Sequence, residues 1–141
     1  MFRASAVLLI GAVALQADLA AVKAEANLER RSQLALEHAE EEIAAAKKAY
    51  DAGALEEFKR LVGEIGELAE LSYDSLEDTG KRARRQPKWF KRAEQKLLGV
   101  MRKLDSLEKD VSIDDRELVK NLRKRVGDVH DRLLNDIMTK K

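Results

Sequence analysis

The sequence predicts an all-α fold, with antiparallel helical hairpins forming a four-helix bundle-like domain. Three observations carry that expectation. Of 141 residues, 38% are charged and 45% hydrophobic, with a single proline, a mixture that suits regular elements with one apolar and one solvated face. Alanine, leucine, glutamate, lysine and arginine dominate while aromatic residues make up 4%, so side chains that favour strands are scarce. Apolar residues recur at three-and-four spacing in four separate segments, the period of an amphipathic helix.

Residues 1–17 stand apart from those segments. Arg3 gives a small positive start, Ala4 to Leu15 form an apolar run, and "LQA" ends on a small residue, which is the pattern of a secretory signal peptide. The run is shorter than the roughly 20 residues needed to span a bilayer, and Gln16 and Asp18 interrupt its continuation. Cleavage is expected after Ala17, with Ala20 and Ala21 as alternative positions, leaving residues 18–141 as a single helical domain that is periplasmic or secreted. The absence of cysteine excludes disulfides, a lipidated cysteine, covalent haem and thiolate metal sites together. An exported chain of this kind relies on its core for stability.

The first helical stripe is Leu28, Ser32, Leu36, Ala39, Ile43, Ala46 and Tyr50. "DAG" at residues 51–53 places Gly53 where a helix end can turn left-handed, and the second stripe resumes at once with Leu55, Phe58, Val62, Ile65, Ala69, Ser72 and Leu76, predicting a tight antiparallel hairpin. "DTG" at residues 78–80 ends the second helix in the same way. Pro87 suits the first turn of the third helix, whose stripe is Phe90, Ala93, Leu97, Val100, Leu104 and Leu107. "SIDD" at residues 112–115 resembles a capping box, with Ser112 accepting an N–H from the first turn, and opens the fourth stripe of Leu118, Leu122, Val126, Val129, Leu133 and Ile137. Gly63, Gly66, Gly99 and Gly127 fall inside these helices, where each costs about 1 kcal/mol relative to alanine. A close crossing against the alanine-rich face of the first helix or a kink would account for them.

Charge divides the chain in two. Residues 18–79 hold 16 acids and 7 bases, a net of −9, whereas residues 80–141 hold 10 acids and 19 bases, a net of +9. An acidic hairpin followed by a basic hairpin predicts mutual attraction, within one bundle or between two copies. The positive half is densest in "KRARRQPKWFKR", residues 81–92, which has seven bases, no acid, and the chain's proline and tryptophan. Lys81, Arg82, Arg84, Arg85, Lys88, Trp89, Lys91 and Arg92 are therefore the candidate site for an anionic partner. Export argues against nucleic acid and for anionic lipid headgroups or an envelope polymer. The competing expectation is a solvated linker that answers the acidic hairpin, with Trp89 or Phe90 packed as a plug.

No catalytic, cofactor or metal motif is legible. His38 and Glu42 are four residues apart on one helical face, but two ligands are too few, and neither His38 nor His130 follows a glutamate by three residues as di-metal bundles require. Both histidines are expected on polar surfaces. A noncovalent haem on His130 with Met101 or Met138 has no specific support. "TGK" at residues 79–81 lacks the earlier glycine of a phosphate-binding loop, and no base is placed beside Ser72, Tyr73 or Ser75. The chain is accordingly expected to be no enzyme and to need no cofactor.

Two resemblances add to this reading. Ala46, Ala49, Tyr50, Gly53, Leu55 and Phe58 in "AKKAYDAGALEEF" resemble the turn inside a tetratricopeptide repeat, over one hairpin and without a second copy about 34 residues later. Taken with the leader, "AYDAG", "SYDSLEDTGK", "KWFKRAE" and "DDRELV" followed by "VHDRLLNDIM" look like a group of small exported bacterial all-helical proteins of unassigned function. That resemblance implies an envelope or periplasmic setting and assigns no site residues. The expected function is a noncatalytic binding or structural protein of the bacterial envelope. A peripheral binder of anionic lipid or polymer through residues 81–92, and a metal- or haem-binding bundle, are the alternatives. A protein partner or self-association is compatible with the first.

Overall fold

The computed structural model describes residues 19–139, so the expected signal peptide at residues 1–17 lies outside the described residues. After a helical stretch at 19–24, four long helices follow: α1 (Leu28–Asp51), α2 (Leu55–Asp78), α3 (Lys88–Asp110) and α4 (Ile113–Thr139). No strand occurs among the described residues. Asn27 caps α1, its side-chain oxygen accepting from the Arg30 N–H at 3.0 Å, which satisfies one of the donors a helix start leaves unpaired. Gly53 adopts φ +76°, and the Gly53 and Ala54 N–H groups close onto the Tyr50 and Ala49 carbonyls at 3.0 and 2.8 Å. Both orphan-carbonyl bonds of a left-handed helix end are thus made. Gly80 ends α2 at φ +70°.

The hairpins α1–α2 and α3–α4 pack side by side, with α1 against α3 and α2 against α4, while the α1 and α4 backbones do not approach closely among the described residues and meet through the Tyr50 and Asp115 side chains. Cross-pairs fix the direction. Glu37 meets Lys96, Glu40 meets Lys103 and Lys47 meets Asp110, so numbering rises together in α1 and α3. Glu70 with Arg125 and Tyr73 with Asp136 do the same for α2 and α4. The two hairpins therefore run parallel to each other, and the α2–α3 connection crosses the bundle end along its diagonal.

Every residue of the predicted α3 stripe is buried, and in the other stripes only members at the helix ends, Leu28, Leu55, Tyr50, Leu118 and Ile137, fall short of burial. The α2 stripe is wider than the spacing indicates, because Leu61 and Leu68 are buried as well. This helix touches all three others. Two tyrosines tie the hairpins at opposite ends: the Tyr50 hydroxyl donates to Asp115 at 2.9 Å and accepts from the Ser112 N–H at 2.8 Å, and Tyr73 donates to Asp136 at 2.8 Å.

Three local expectations are corrected. Ser112 does not cap α4 with its side chain; its hydroxyl instead donates to Asp115 at 3.0 Å, joining the Tyr50 network because Asp115 can accept from both. Gly66 faces the Arg125 side chain of α4 rather than α1, and a Cβ there would stand 2.3 Å from its guanidinium. Neither histidine is a surface residue: His38 is 4% exposed and His130 8%.

Candidate functional site

The basic stretch forms the diagonal strap and the start of α3. Its shape follows from one apolar residue among charges. Ala83 is 2% exposed, and the Arg85 and Gln86 N–H groups both bond the Arg82 carbonyl, at 3.1 and 2.9 Å, to make a turn around it. With Ala83 turned inward against the bundle end, Arg82, Arg84 and Arg85 are left outside. Pro87 then starts α3, its carbonyl accepting from Lys91 at 2.8 Å, where its missing N–H costs nothing. Phe90, 2% exposed, is the core plug. Trp89 is half-buried against the core edge, with Lys88 Nζ 5.4 Å and Arg92 Cζ 5.1 Å from its ring centroid, distances at which cations are attracted to the aromatic face.

Pairing sorts the eight predicted residues into two groups. Lys81 reaches back to Glu29 of α1. Arg82, Arg84, Arg85, Lys88, Lys91 and Arg92 are exposed and make no ion pair among the described residues. Elsewhere the charge division closes on itself within the chain: Glu37 with Lys96 at 4.0 Å, Glu40 with Lys103 at 2.7 Å, and Glu70 with Arg125 through two parallel hydrogen bonds. The Arg125 hydrogen bonds hold the Glu70 carboxyl below its usual range. The acidic and basic hairpins thus meet in ion pairs at several points along their length, and the strap end holds the densest run of cations without one among the described residues.

Two concavities flank Trp89. A groove of about 530 Å³ runs between α1 and α3, and a recess of about 210 Å³ lies under the strap; both are lined by Trp89 and Glu29.

A second polar cluster, missed by the sequence reading, lies between α1 and α2. Glu42 is 0% exposed. His38 Nε2 stands 3.2 Å from its Oε1, and Glu64 and Arg60 approach from α2, where Arg60 pairs with Glu57 and Glu64. When both carboxyls are ionised, neither Glu42 oxygen nor Glu64 Oε2 has a donor; a proton held between the two acids supplies one. Burial and then the hydrogen bond to Glu42 push Glu64 up to about 7. His38 is raised above its ordinary value, chiefly by the Glu42 carboxylate beside its ring, against the lowering effect of burial. A signal was present in the sequence: Glu42 falls on the seam Leu28, Ser32, Ala35, Ala39, Glu42, Ala46, Ala49, whose alternating three-and-four spacing otherwise holds no acid.

The structure brings His38 and Glu42 together as their spacing predicts, but His130 lies on the other hairpin and bonds Glu94 of α3 at 2.9 Å. Met138 is exposed. Among the described residues no group of three or more His, Asp or Glu side chains is arranged to hold a metal ion, and no helix is long and apolar enough to cross a membrane. Comparison with protein-family models, with curated proteins and with solved structures finds no match to this chain.

Proposed function

We propose that this protein is an exported, noncatalytic component of the bacterial envelope that binds anionic lipid headgroups through the strap end of its bundle. The observation that supports this reading is a local concentration of cations without ion-pair partners. Four bases of the second half are matched to acids of the first, whereas Arg82, Arg84, Arg85, Lys88, Lys91 and Arg92 cluster at one end without a carboxylate partner among the described residues. Each lysine or arginine near an anionic membrane surface contributes about 1 kcal/mol, so six in one patch suffice for reversible, salt-sensitive association. Trp89, with an apolar body and cations on its ring, suits the boundary between water and lipid. The envelope setting rests on the leader pattern of residues 1–17 and on the resemblance to small exported helical proteins.

Co-sedimentation with phosphatidylglycerol-containing and pure phosphatidylcholine vesicles tests the reading. Binding is expected to the anionic vesicles alone, to weaken steeply as salt is raised, and to fall at least about tenfold in Arg84→Glu/Arg85→Glu, since reversing two charges removes well over 1.4 kcal/mol. Equal binding to both vesicles, or none, refutes it. Binding to an anionic envelope polymer in place of vesicles also refutes the lipid assignment.

A further inference from the structure

We propose that the paired concavities beside Trp89 form a site for one single-chain amphipathic anion, with its acyl chain in the α1–α3 groove and its headgroup under the strap. The inference rests on the anionic-partner reading above and gives it a molecular site. The groove lies over Ser32 and Leu36 of α1 and Ala93 of α3, whose side chains are buried, and Trp89 is part of its wall. Its volume of about 530 Å³ is in the usual range for small-molecule sites, which combine an apolar lining with a few polar groups that orient the ligand. Trp89 and the aliphatic stems of Gln33, Arg92 and Lys96 supply its exposed apolar lining.

Charge chooses the ligand's sign. Two acids line the groove, and both are engaged: Glu37 accepts from Gln33 at 3.1 Å and lies 4.0 Å from Lys96, and Glu29 is paired with Lys81. The cations at the mouth are not so engaged. Arg92 and Lys88 lie against the Trp89 ring, and Lys91 stands on the same turn, all without an acid among the described residues. Beyond Trp89 the recess of about 210 Å³ is lined by the Glu29–Lys81 pair, Gln86 and Lys88, of which Gln86 and Lys88 can meet a headgroup with hydrogen-bond donors. A groove and a recess that share the Trp89 indole, with Lys88, Lys91 and Arg92 beside it, match an acyl chain ending in a carboxylate or a phosphate.

Trp89 is the chain's sole tryptophan, so its emission reports the site directly. The purified protein is titrated below micelle formation with laurate, with monododecyl phosphate and with the neutral dodecyl maltoside. The expected result is a saturable change at one amphiphile per chain for one or both anions, which identifies the headgroup, and no change for the maltoside. Arg92→Glu weakens that binding by about tenfold, the scale of one charge-assisted contact. Gln95→Phe, an exposed groove-rim position, reduces it with the melting temperature unchanged, while anionic-vesicle binding persists. Equal response to the maltoside overturns the site, because no headgroup is then selected. Binding to anionic vesicles with no response to either monomeric anion also overturns it, and leaves the basic-end reading standing. Loss of both overturns the two together.

Discussion

Replacing Glu42 with glutamine removes one of two carboxyl groups that meet inside the first hairpin, and the consequence is measurable as a change in how stability depends on pH. In the wild type, burial and Glu42 push Glu64 from an ordinary 4.5 to about 7, and His38 is raised as well. Both groups bind a proton more tightly folded than unfolded. The stability they contribute is fully present below their unfolded values and is lost as the pH rises through their folded ones. Glu57 and Glu70, lowered chiefly by their hydrogen bonds to Arg60 and Arg125, act with the opposite sign, but only in more acidic solution. One pKa step is worth about 1.4 kcal/mol, so the Glu64 displacement sets a ceiling of roughly 3 kcal/mol, and its residual contact with solvent brings the expectation to about 1–3 kcal/mol. Thermal denaturation should therefore show a melting temperature roughly 4–12 °C lower near pH 8 than near pH 5. In Glu42→Gln the amide donates to Glu64 and no longer holds His38, so the slope should shrink by about half or more, with the variant gaining on the wild type at the alkaline end. A wild-type profile that is flat or rises over this interval, or a variant with an unchanged slope, refutes the reasoning.

Neighbouring aromatic residues should behave differently: urea denaturation should show Phe90→Ala losing about 3–5 kcal/mol through a core cavity, and Trp89→Ala much less, since Trp89 is only half-buried. Gly80→Ala, at φ +70°, should cost about 1–2 kcal/mol by the same measurement. Tyr50→Phe removes the hydroxyl that both donates to Asp115 and accepts from the Ser112 N–H, and should lower stability by about 1–2 kcal/mol. A double-mutant cycle between Glu70 and Arg125 should give a coupling of about 0.5–1 kcal/mol at low salt that shrinks as salt is added.

Much of the fold was legible because its signals are local. Gly53 and Gly80 each mark a left-handed helix end, and the α3 stripe coincides with that helix's buried face, whereas the α1 face also takes in Ala35, His38, Glu42 and Ala49. The candidate site was legible as a run of charge, but not as a shape. Seven bases in twelve residues predict an electropositive segment; they do not say that Ala83 turns inward and leaves Arg82, Arg84 and Arg85 outside, or that Phe90, not Trp89, fills the core. The spacing of His38 and Glu42 is legible in the sequence, but the burial of Glu42 is masked by the "EEE" run it belongs to, although its place on the heptad seam marks it for burial.

The sequence by itself determined the helical class, the two hairpins, their opposite charges and the basic segment between them, because periodicity, capping and composition act over one or two turns. Only the tertiary structure decided that the hairpins run parallel to each other, that their opposite charges meet within one chain, and that the strap crosses the diagonal. It also decided which cations are left without an acid and that a groove runs between α1 and α3 beside Trp89. Those outcomes depend on which faces pack together. An ion pair between Glu70 and Arg125, 55 residues apart, or a buried Glu42 beside Glu64, arises only once helices are docked and water is excluded between them.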